Sequence, residues 1–353
     1  MTRKESCLIG LELDVHINCD KCIYNGEKLA IFHELGMSDL EKLVKSMNNK
    51  CCSLDPLPPW LLISCFEQLG PILLHIVNCS LRTGMFPDLL KKAVVKPVIK
   101  DFKDDIDSLA NYRPISNIAF LSKLVEKAVS YQLNEHLNKN NLYCSSQSGY
   151  RQFHSCETLN IAMFDKILKD IDDGNVVVLL LLDMSAAFDT IDHSILLRTL
   201  NQCYGISDVV HQWFSSYLTN RNFSVKVYDK FSDYICSLFG VPQGSILGPI
   251  LFILYTKHLQ HIALKHCLNI QLYADDSQLY ISFKPLAGSE LCTSKIEMCL
   301  AEIKKFVCSQ YLKLNEKKTK LLLLSKPSVG ISYNMNCDPI VVSCMNNTIE
   351  EFD

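Results

Sequence analysis

The sequence lacks an apolar run that is long enough and free enough of charge to span a bilayer, and residues 1–7 lead into no hydrophobic segment of the signal-peptide kind. It also lacks internal repeats, low-complexity tracts and long linkers. These absences favour an intracellular globular protein that is neither secreted nor bound to a membrane. With 353 residues, 48% of them hydrophobic and 21% charged, the chain has the length of one large or two modest domains.

An excess of positive charge is absent too, because the formal net charge is −3 at pH 7. A nucleic-acid-binding protein needs only a local basic face, so the net charge alone excludes no such function. Two groups of lysines are candidates for such a face, and each would equally suit a solvated surface. They are Lys91, Lys92, Lys96, Lys100 and Lys103, and Lys304, Lys305, Lys313, Lys317, Lys318 and Lys320.

The cysteines lack the spacing of a zinc site. Cys19 and Cys22 form a CxxC pair, but no second pair of ligands follows at a suitable distance along the chain. The 17 cysteines are scattered through apolar segments, where a thiol in a reducing compartment behaves as a small buried hydrophobic side chain. We therefore expect mostly buried free thiols and no zinc site.

The stretch 269–283, NIQLYADDSQLYISF, is the segment around which the rest of the chain is organised. Apolar residues alternate on both sides of Asp275 and Asp276, which predicts a hairpin half-buried on one face with the acidic pair at its turn. Two adjacent carboxylates repel each other and are costly to desolvate, and a bound divalent cation would remove both costs. An ordinary Asp-rich turn is the alternative for this segment taken alone.

A second acidic segment lies upstream. An apolar run of Val and Leu at 176–182 has the length of a strand and ends on Asp183. A strand that delivers one carboxylate and a hairpin that delivers two more could assemble an oxygen-ligand site for Mg²⁺. Two such ions, about 3.5–4 Å apart, stabilise the attacking and leaving oxygens of a phosphoryl transfer.

Five segments, taken in order, resemble the motifs of reverse transcriptases. LDMSAAFD at 182–189, GVPQGSILGP at 240–249 and YADD at 273–276 are similar to the successive palm motifs of that family. NYRPIS at 111–116 and QSGYR at 147–151 resemble fingers motifs of the non-LTR, LINE-type, jockey-like retrotransposon polymerases. A lone acidic pair occurs in many proteins, whereas five motifs in the family's order identify the resemblance.

The resemblance implies an α+β fold with right-hand polymerase fingers and palm, an antiparallel palm sheet, an incomplete thumb and a helical N-terminal extension. The expected domains are the helical extension at 1–90 and the fingers and palm at 91–325. Residues 326–353 would be the start of a thumb or connection, or a truncated tail.

Local signals predict several elements of this fold. Residues 38–41 have the form of a capping box before an amphipathic helix, and Ser155 begins another helix. Gly70-Pro71 is expected to interrupt a helix that starts at Trp60. A further apolar helix is expected over 250–259, after a glycine-rich turn.

The resemblance implies a catalytic role for the acidic residues. Asp183 and Asp275 would be the main metal ligands, with Asp276 as a third carboxylate, and two Mg²⁺ ions, with Mn²⁺ as a substitute, would be the cofactors. Lys318, in a segment similar to the next palm motif, is a candidate proton donor to the pyrophosphate leaving group. A solvated strand edge is the alternative for Lys318, and the neighbouring lysines could exchange roles with it.

The resemblance also implies residues that contact the incoming nucleotide. Lys100 and Arg113, at the end of a predicted fingers hairpin, would offset charge on its phosphates, or would be a surface lysine and a structural arginine. Phe188 would pack under the sugar and leave no room for a 2′-hydroxyl, with a core phenylalanine as the alternative. Gln243 and Gly244 would contact the nucleotide from a turn that lets backbone approach closely.

Tyr273, directly before the acidic pair in the YADD segment, completes the set of expected substrate-binding residues. Tyr273 and Ala274 at this place, together with Phe188, disfavour an RNA-dependent RNA polymerase.

The function implied is that of an RNA-directed DNA polymerase of a retrotransposon, with an RNA template, a DNA primer and deoxynucleoside triphosphates as partners. Such a protein is expected in the cytoplasm and nucleus as a ribonucleoprotein. Residues 255–258 and Phe306 depart from the family's usual Asn-Asp and Trp, and the chain ends soon after the last palm motif. The alternative is therefore a truncated or co-opted palm that binds RNA or an RNA/DNA hybrid without polymerising.

Overall fold

The computed structural model describes residues 23–326, apart from 49, 102–104, 186, 286–288 and 317, together with the strand Val341–Cys344. The chain forms two compact units. The first unit comprises Cys19–Tyr143 and Phe188–Tyr255, and the second comprises Cys144–Ala187 and Thr256–Asp353 with residues 1–18. The predicted domain boundaries at 90 and 325 do not coincide with the limits of these units and stay predictions. Cys19, Cys22, Lys103 and Lys317 lie outside the described residues.

The first unit contains a five-stranded sheet. Strands β1 (Lys92–Ile99) and β2 (Tyr112–Ile118) form the predicted hairpin, in which Val98 pairs with Arg113. Strand β5 (Arg221–Val227) runs parallel to β1 and pairs with β6 (Lys230–Phe231) and β7 (Ile235–Ser237). The burial alternates poorly along β2, since most of its residues are partly exposed.

Seven helices of the first unit are described, and they cover most of its apolar residues. They are α1 (Met37–Lys45), α2 (Pro59–Ser64), α3 (Phe66–Thr83), α4 (Phe120–Lys139), α6 (His193–Tyr204), α7 (Asp208–Leu218) and α8 (Leu247–Tyr255). Trp213 on α7 is fully buried, stacks on Tyr217 with ring centroids 5.4 Å apart, and donates its indole N–H to Ser80 at 2.9 Å. This aromatic group forms the centre of the unit's core.

Two local predictions in the first unit are wrong. The helix α1 starts after Gly36 with no side-chain cap, so Ser38 lies inside the helix and forms no capping box. The predicted interruption at Gly70-Pro71 falls instead at Cys65, between α2 and α3. Pro71 is tolerated because it lies in the second turn of α3, where a proline removes a single backbone hydrogen bond of the helix.

The second unit is built on a five-stranded sheet. In the order in which they pair, its strands are β12 (Val341–Cys344), β11 (Lys320–Leu324), β3 (Val176–Leu182), β9 (Asp276–Phe283) and β8 (Asn269–Tyr273). All neighbours are antiparallel except β11 and β12. The apolar run at 176–182 thus becomes the central strand, which explains why almost all of its residues are buried.

Helices cover this sheet. Helix α5 (Cys156–Asp172) starts directly after Ser155, close to the predicted position, and the Ser155 side chain caps it by accepting from the Thr158 N–H. Its residues Met163 and Ile167 pack against Val177, Leu179 and Tyr280. Helices α9 (His258–Lys265) and α10 (Ser289–Ser309) complete the unit, and α10 packs on β9. The single helix predicted for 250–259 is wrong, because α8 ends at Tyr255 and α9 starts at His258. Within the described residues, no helix is both long and apolar enough to cross a membrane.

Candidate active site

Three carboxylates lie at one end of the sheet of the second unit. Asp183 directly follows β3, and Asp276 begins β9, so both come immediately beyond the pairing of Leu182 with Ser277. Asp275 lies in the turn that joins β8 to β9. The sequence prediction placed both acidic residues at the turn, whereas the turn is Ala274 and Asp275, and Asp276 already pairs with Tyr273.

A glutamine outside the hairpin holds this turn. The backbone of Ala274 has a φ of +58°, a left-handed conformation that a non-glycine residue adopts at a cost. The side-chain oxygen of Gln147 accepts hydrogen bonds from the backbone N–H groups of Ala274 at 3.1 Å and Gly149 at 2.8 Å. The side-chain N–H of Gln147 also donates to the Ala274 carbonyl at 3.4 Å. Gln147 as a whole is only 2% exposed. Gln147 and Gly149 thereby support the turn that carries Asp275.

Gly149 approaches the turn so closely that a side chain would not fit. A Cβ at this position would lie 2.4 Å from the Ala274 backbone nitrogen. The segment around it pairs with β8, since the Leu272 N–H donates to the Ser146 carbonyl at 2.8 Å. The QSGYR segment, expected as a fingers motif, therefore lies in the second unit, against the acidic hairpin.

Strand β10 (Lys313–Leu314) pairs with β4 (Met184–Ser185), which directly follows Asp183. The loop after β10 orients the Asp183 side chain. The side-chain amide of Asn315 donates to Asp183 Oδ2 at 3.0 Å, and the Asn315 N–H donates to the Asp183 carbonyl at 2.8 Å. Lys318 Nζ lies 3.9 Å from Asp183 Oδ2. The predicted proton donor is therefore close to the predicted metal ligand, and its side chain is 63% exposed.

Burial and mutual repulsion both act on the acidic groups at this end of the sheet. Partial burial, followed by the charges of Asp275 and Asp183, raises the pKa of the Asp276 carboxyl, and Lys318 opposes that rise. Burial and the neighbouring Asp275 likewise raise the pKa of Tyr150, whose backbone φ is +59°. Asp183, Asp275 and Asp276 thus lie at the same end of the sheet, and the Lys318 ammonium group lowers the pKa of Asp276 against the effect of the other two carboxylates.

The donor atoms suit a hard divalent cation, since carboxylate oxygens are the ligands that Mg²⁺ prefers. In the part of the chain that the structure describes, no three His, Cys, Asp or Glu side chains are arranged as a ready metal-binding group. The acidic end of the second unit therefore offers the chemistry and the charge for a cation without a preassembled set of three ligands.

In the first unit, the loop before α8 brings Gln243 and Gly244 together with Asp189. The Gln243 side-chain amide donates to Asp189 Oδ2 at 2.7 Å, and the Gln243 carbonyl accepts from the Ser116 N–H at 2.7 Å. Burial raises the pKa of Asp189, and the hydrogen bond from Gln243 opposes that rise. Gly244 has a φ of +119°, and a Cβ there would lie 2.6 Å from the Ser116 carbonyl oxygen, so only glycine fits.

Phe188 lies in the short helical turn Ala187–Thr190, on the same unit as this loop. Its ring packs on Phe252 of α8 with centroids 4.9 Å apart, and its backbone carbonyl accepts from the Val241 N–H at 2.9 Å. Phe188 remains partly exposed, so the contact with Phe252 leaves part of its ring accessible.

Lys100 and Arg113 lie at the end of the β1–β2 hairpin, as predicted, and both are exposed. The Lys100 N–H donates to the Asn111 carbonyl at 2.8 Å, which continues the hairpin by one hydrogen bond. Tyr273 closes β8 and is partly exposed.

Sequence reasoning missed three supporting residues. Asp189 is the last residue of the LDMSAAFD motif, which was its only signal, because its partner Gln243 is 54 residues away. Gln147 is the first residue of the QSGYR segment, and its partner Ala274 is 127 residues away. Asn315 carried no signal beyond its position in the last motif.

Comparison with known proteins gives several relatives. The chain is 30% identical over 257 residues to the probable RNA-directed DNA polymerase from transposon BS of Drosophila melanogaster, which covers 69% of this chain and 27% of that protein. It is 26% identical over 238 residues to the probable RNA-directed DNA polymerase from the transposon X-element of the same species, covering 67% and 26%. For the RNA-directed DNA polymerase from its mobile element jockey, the identity is 26% over 259 residues, covering 71% and 27%. The chain thus spans about a quarter of the length of these curated relatives.

A solved structure of apo telomerase from Candida tropicalis, truncated from its C-terminal domain, is similar with a TM-score of 0.47 and 15% identity, covering 69% of this chain and 51% of that one. The profile of the family described as reverse transcriptase (RNA-dependent DNA polymerase) matches residues 99–340, and this range includes all the predicted site residues. The predicted α+β class with an antiparallel palm sheet is confirmed. The chain belongs to the reverse transcriptase family.

Proposed function

We propose that this chain is the polymerising part of a retrotransposon protein, which adds deoxynucleotides to a primer 3′-hydroxyl on an RNA template. The observation that carries the proposal is the placement of Asp183, Asp275 and Asp276 at one end of a single sheet, inside the range that matches the family. The proposed partners are an RNA template, a DNA primer and deoxynucleoside triphosphates.

Asp183, Asp275 and Asp276 would hold two Mg²⁺ ions, for which Mn²⁺ could substitute. Such ions, when bound, lower the pKa of the primer 3′-hydroxyl and neutralise charge on the triphosphate and the leaving pyrophosphate. The fit rests on the oxygen donors and on the raised pKa of Asp276, which is due first to burial and then to the charges of Asp275 and Asp183. A cation would relieve the repulsive part of this rise. Asp183 and Asp275 are the main ligands in this proposal.

Lys318 would donate a proton to the pyrophosphate leaving group. Its ammonium group is mostly exposed and lies 3.9 Å from Asp183, so it is near the proposed metal ligand and accessible to a substrate. General acids of this kind contribute roughly 10²–10⁴-fold to a rate.

Further residues would contact the incoming nucleotide, each in its own role. Gln243 and Gly244 would contact it through the loop before α8, and Phe188 would exclude a ribose 2′-hydroxyl. Lys100 and Arg113 would offset charge on the phosphates, which needs cationic donors in an accessible position. Tyr273 would contribute from the end of β8.

The test is primer extension on poly(rA)/oligo(dT) with Mg²⁺ and dTTP, in which the chain is compared with Asp275→Asn. Asp165→Asn is the matched control, because Asp165 is an exposed aspartate of the same unit whose ion pair with Lys169 lies within one helix. We expect extension by the chain and by Asp165→Asn, and none by Asp275→Asn. Equal extension by the Asp275 variant would overturn the assignment of the metal site.

A second candidate is a protein that binds RNA or an RNA/DNA hybrid without polymerising. The exposed cations Lys100 and Arg113 at the end of the β1–β2 hairpin support it, because contacts with a phosphate backbone need no metal site. Salt-dependent binding of the hybrid, with no extension by any variant, would support this candidate against the polymerase.

We also propose that the protein acts inside the cell, in the cytoplasm and nucleus, as a ribonucleoprotein. Fractionation of cells that express a tagged chain, followed by nuclease treatment, would test this. Cosedimentation with RNA that is lost on nuclease treatment is the expected result, and secretion of the chain would contradict it.

A further inference from the structure

A buried carboxylate, Glu126, caps the helix that follows the Gln243–Gly244 loop. Glu126 belongs to α4 and is 0% exposed. Its Oε2 accepts hydrogen bonds from the backbone N–H groups of Ile246 at 2.7 Å and Leu247 at 3.2 Å. The first N–H groups of a helix have no carbonyl partner within it, so a distant side chain supplies what the local sequence of α8 does not.

A buried cation of the same unit, Arg221, acts on the charge of Glu126, although within the described residues Glu126 Oε1 and Arg221 Nη2 make no hydrogen bond. Burial raises its pKa, and the Arg221 guanidinium is the first of the influences that lower it. Arg221 is itself 4% exposed, and its guanidinium carbon lies 4.8 Å from the centre of the Tyr217 ring. Arginine stays protonated in proteins, so its buried charge needs a compensating carboxylate. The two N–H donors and the N-terminal end of α8 also favour an ionised Glu126.

The loop between the cap and the hairpin is held at several points. Ser116 on β2 bonds the Gln243 carbonyl at 2.7 Å, and the Ser245 hydroxyl donates to the Pro242 carbonyl at 2.8 Å. Glu126 holds the next two residues, Ile246 and Leu247. The backbone of Gly244 is therefore fixed from both sides, at a place where its φ of +119° is accessible only to glycine.

We propose that Glu126 is a positioning residue, which fixes Gln243 and Gly244 for the incoming nucleotide while Arg221 supplies its counter-charge. Glu126 acts through the Ile246 and Leu247 N–H groups and does not touch the substrate. The consequence for the reaction rests on the proposed function of the Gln243–Gly244 loop, whereas the anchoring of the loop can be tested without any activity.

The first experiment measures amide hydrogen exchange in Glu126→Ala, Glu126→Gln and the matched control Glu135→Gln, since Glu135 is an exposed glutamate of α4. We expect exchange at Ile246 and Leu247 to rise roughly tenfold in Glu126→Ala, the usual cost of a lost cap. Glu126→Gln keeps an acceptor oxygen, so the rise should be smaller, and Glu135→Gln should show none. The amide of Leu133, in the core of the same unit, reports any general loosening.

Unchanged exchange at Ile246 and Leu247 in Glu126→Ala, or an equal rise at Leu133, would overturn the proposal. If Glu126→Ala fails to fold, Glu126→Gln combined with Arg221→Met replaces it, because that pair removes both buried charges and keeps an acceptor. In this double variant, amide exchange at Ile246 and Leu247 should stay near the wild-type rate. A rise at these two amides that Leu133 does not share would count against an acceptor role for residue 126.

The second experiment measures primer extension by the same variants. We expect the KM for dTTP to rise about tenfold in Glu126→Ala, with kcat and the KM for the primer-template within about threefold. If kcat, the KM for dTTP and the KM for the primer-template all worsened by the same factor, the role of Glu126 would be structural only and the positioning role would be overturned. If the unmodified chain shows no extension, the proposed function fails while the exchange result still decides whether Glu126 anchors the loop.

Discussion

The two units treat acidic residues in opposite ways. In the second unit partial burial, followed by the charges of Asp275 and Asp183, raises the pKa of Asp276, and Lys318 opposes this rise. In the first unit Glu126 is fully buried and its pKa is raised by burial, yet it accepts two backbone N–H groups and lies under the influence of the Arg221 charge. Clustered carboxylates that repel each other indicate a place for a cation, whereas a single buried carboxylate that accepts backbone N–H groups indicates a structural anchor.

The largest effect should come from neutralising one of the clustered acids. Asp275→Asn should lower primer extension by roughly a thousandfold, because metal-based charge stabilisation is worth several kcal/mol. The same change should leave the metal-free protein at least as stable, because it removes a repulsive neighbour of Asp276. Denaturant titration and primer extension on the same preparations would check both, and a clear loss of stability would break the comparison.

The opposite result is expected for the buried acid. Glu126→Gln should lower the free energy of unfolding by about 2 kcal/mol, because it removes the carboxylate charge that acts on the buried Arg221. Adding Arg221→Met should recover much of this loss. Urea denaturation of the single and double variants measures the coupling, and additive losses would show that Arg221 does not compensate Glu126.

A change that moves the acidic turn without altering its charge comes next. Gly149→Ala should destabilise the protein by about 2 kcal/mol, because the new Cβ would lie 2.4 Å from the Ala274 nitrogen. Gly174→Ala is the matched control, since it has a φ of +78° and open space within 4 Å. We expect Gly174→Ala to be destabilised by backbone strain but to keep its primer-extension activity. Gly149→Ala should lose both stability and primer-extension activity.

A smaller effect should follow from loosening Asp183. Asn315→Ala removes the 3.0 Å hydrogen bond to Asp183 Oδ2, and partners of metal ligands typically contribute 10-fold or more to metal affinity. We expect the Mg²⁺ concentration for half-maximal extension to rise about tenfold. An unchanged Mg²⁺ dependence, with extension intact, would mean that Asp183 needs no orientation by Asn315.

The smallest effect concerns pH. The pKa of Asp276 is raised in the folded protein, so the folded state holds the proton of this carboxyl more tightly than the unfolded state does. The stability that this proton contributes to the metal-free protein is fully present below the ordinary aspartate pKa. It is lost as pH rises through the raised pKa. Asp276→Asn should therefore be more stable than the unmodified chain above this window, by less than about 1 kcal/mol because solvent screens the side chain. Denaturation between acidic and neutral pH, with and without Mg²⁺, tests this, and a difference that stays the same throughout would contradict it.

The acidic end of the second unit was predictable because its signals are local. A buried strand that ends on Asp183 and an alternating hairpin around Asp275 each carry their own periodicity, and antiparallel pairing brings their ends together. What the sequence could not show were contacts between distant positions. Gln147 reaches Ala274 across 127 residues, and no periodicity records such a bond.

The helix ends were less predictable than the helices. Ser38 looked like a cap, but the chain enters α1 from Gly36, because the buried positions Leu40 and Val44 determine where the helix packs. Glu126 did leave a signal, since it lies on the apolar face of α4 between Val125 and Val129. A charged residue on a buried stripe requires a partner, and its identity depends on the tertiary structure.

The two-residue turn between β8 and β9 limits how the chain can change in length. Because Tyr273 pairs directly with Asp276, one residue inserted between them would either lengthen this tight turn or shift the strand register, and a shift by one residue would move the Asp276 side chain to the opposite face of the sheet. The described residues of the β1–β2 connection, by contrast, are mostly exposed, and exposed loops tolerate length changes better than paired strands do. Insertions and deletions among related sequences should therefore accumulate in the β1–β2 connection and be absent from the β8–β9 turn.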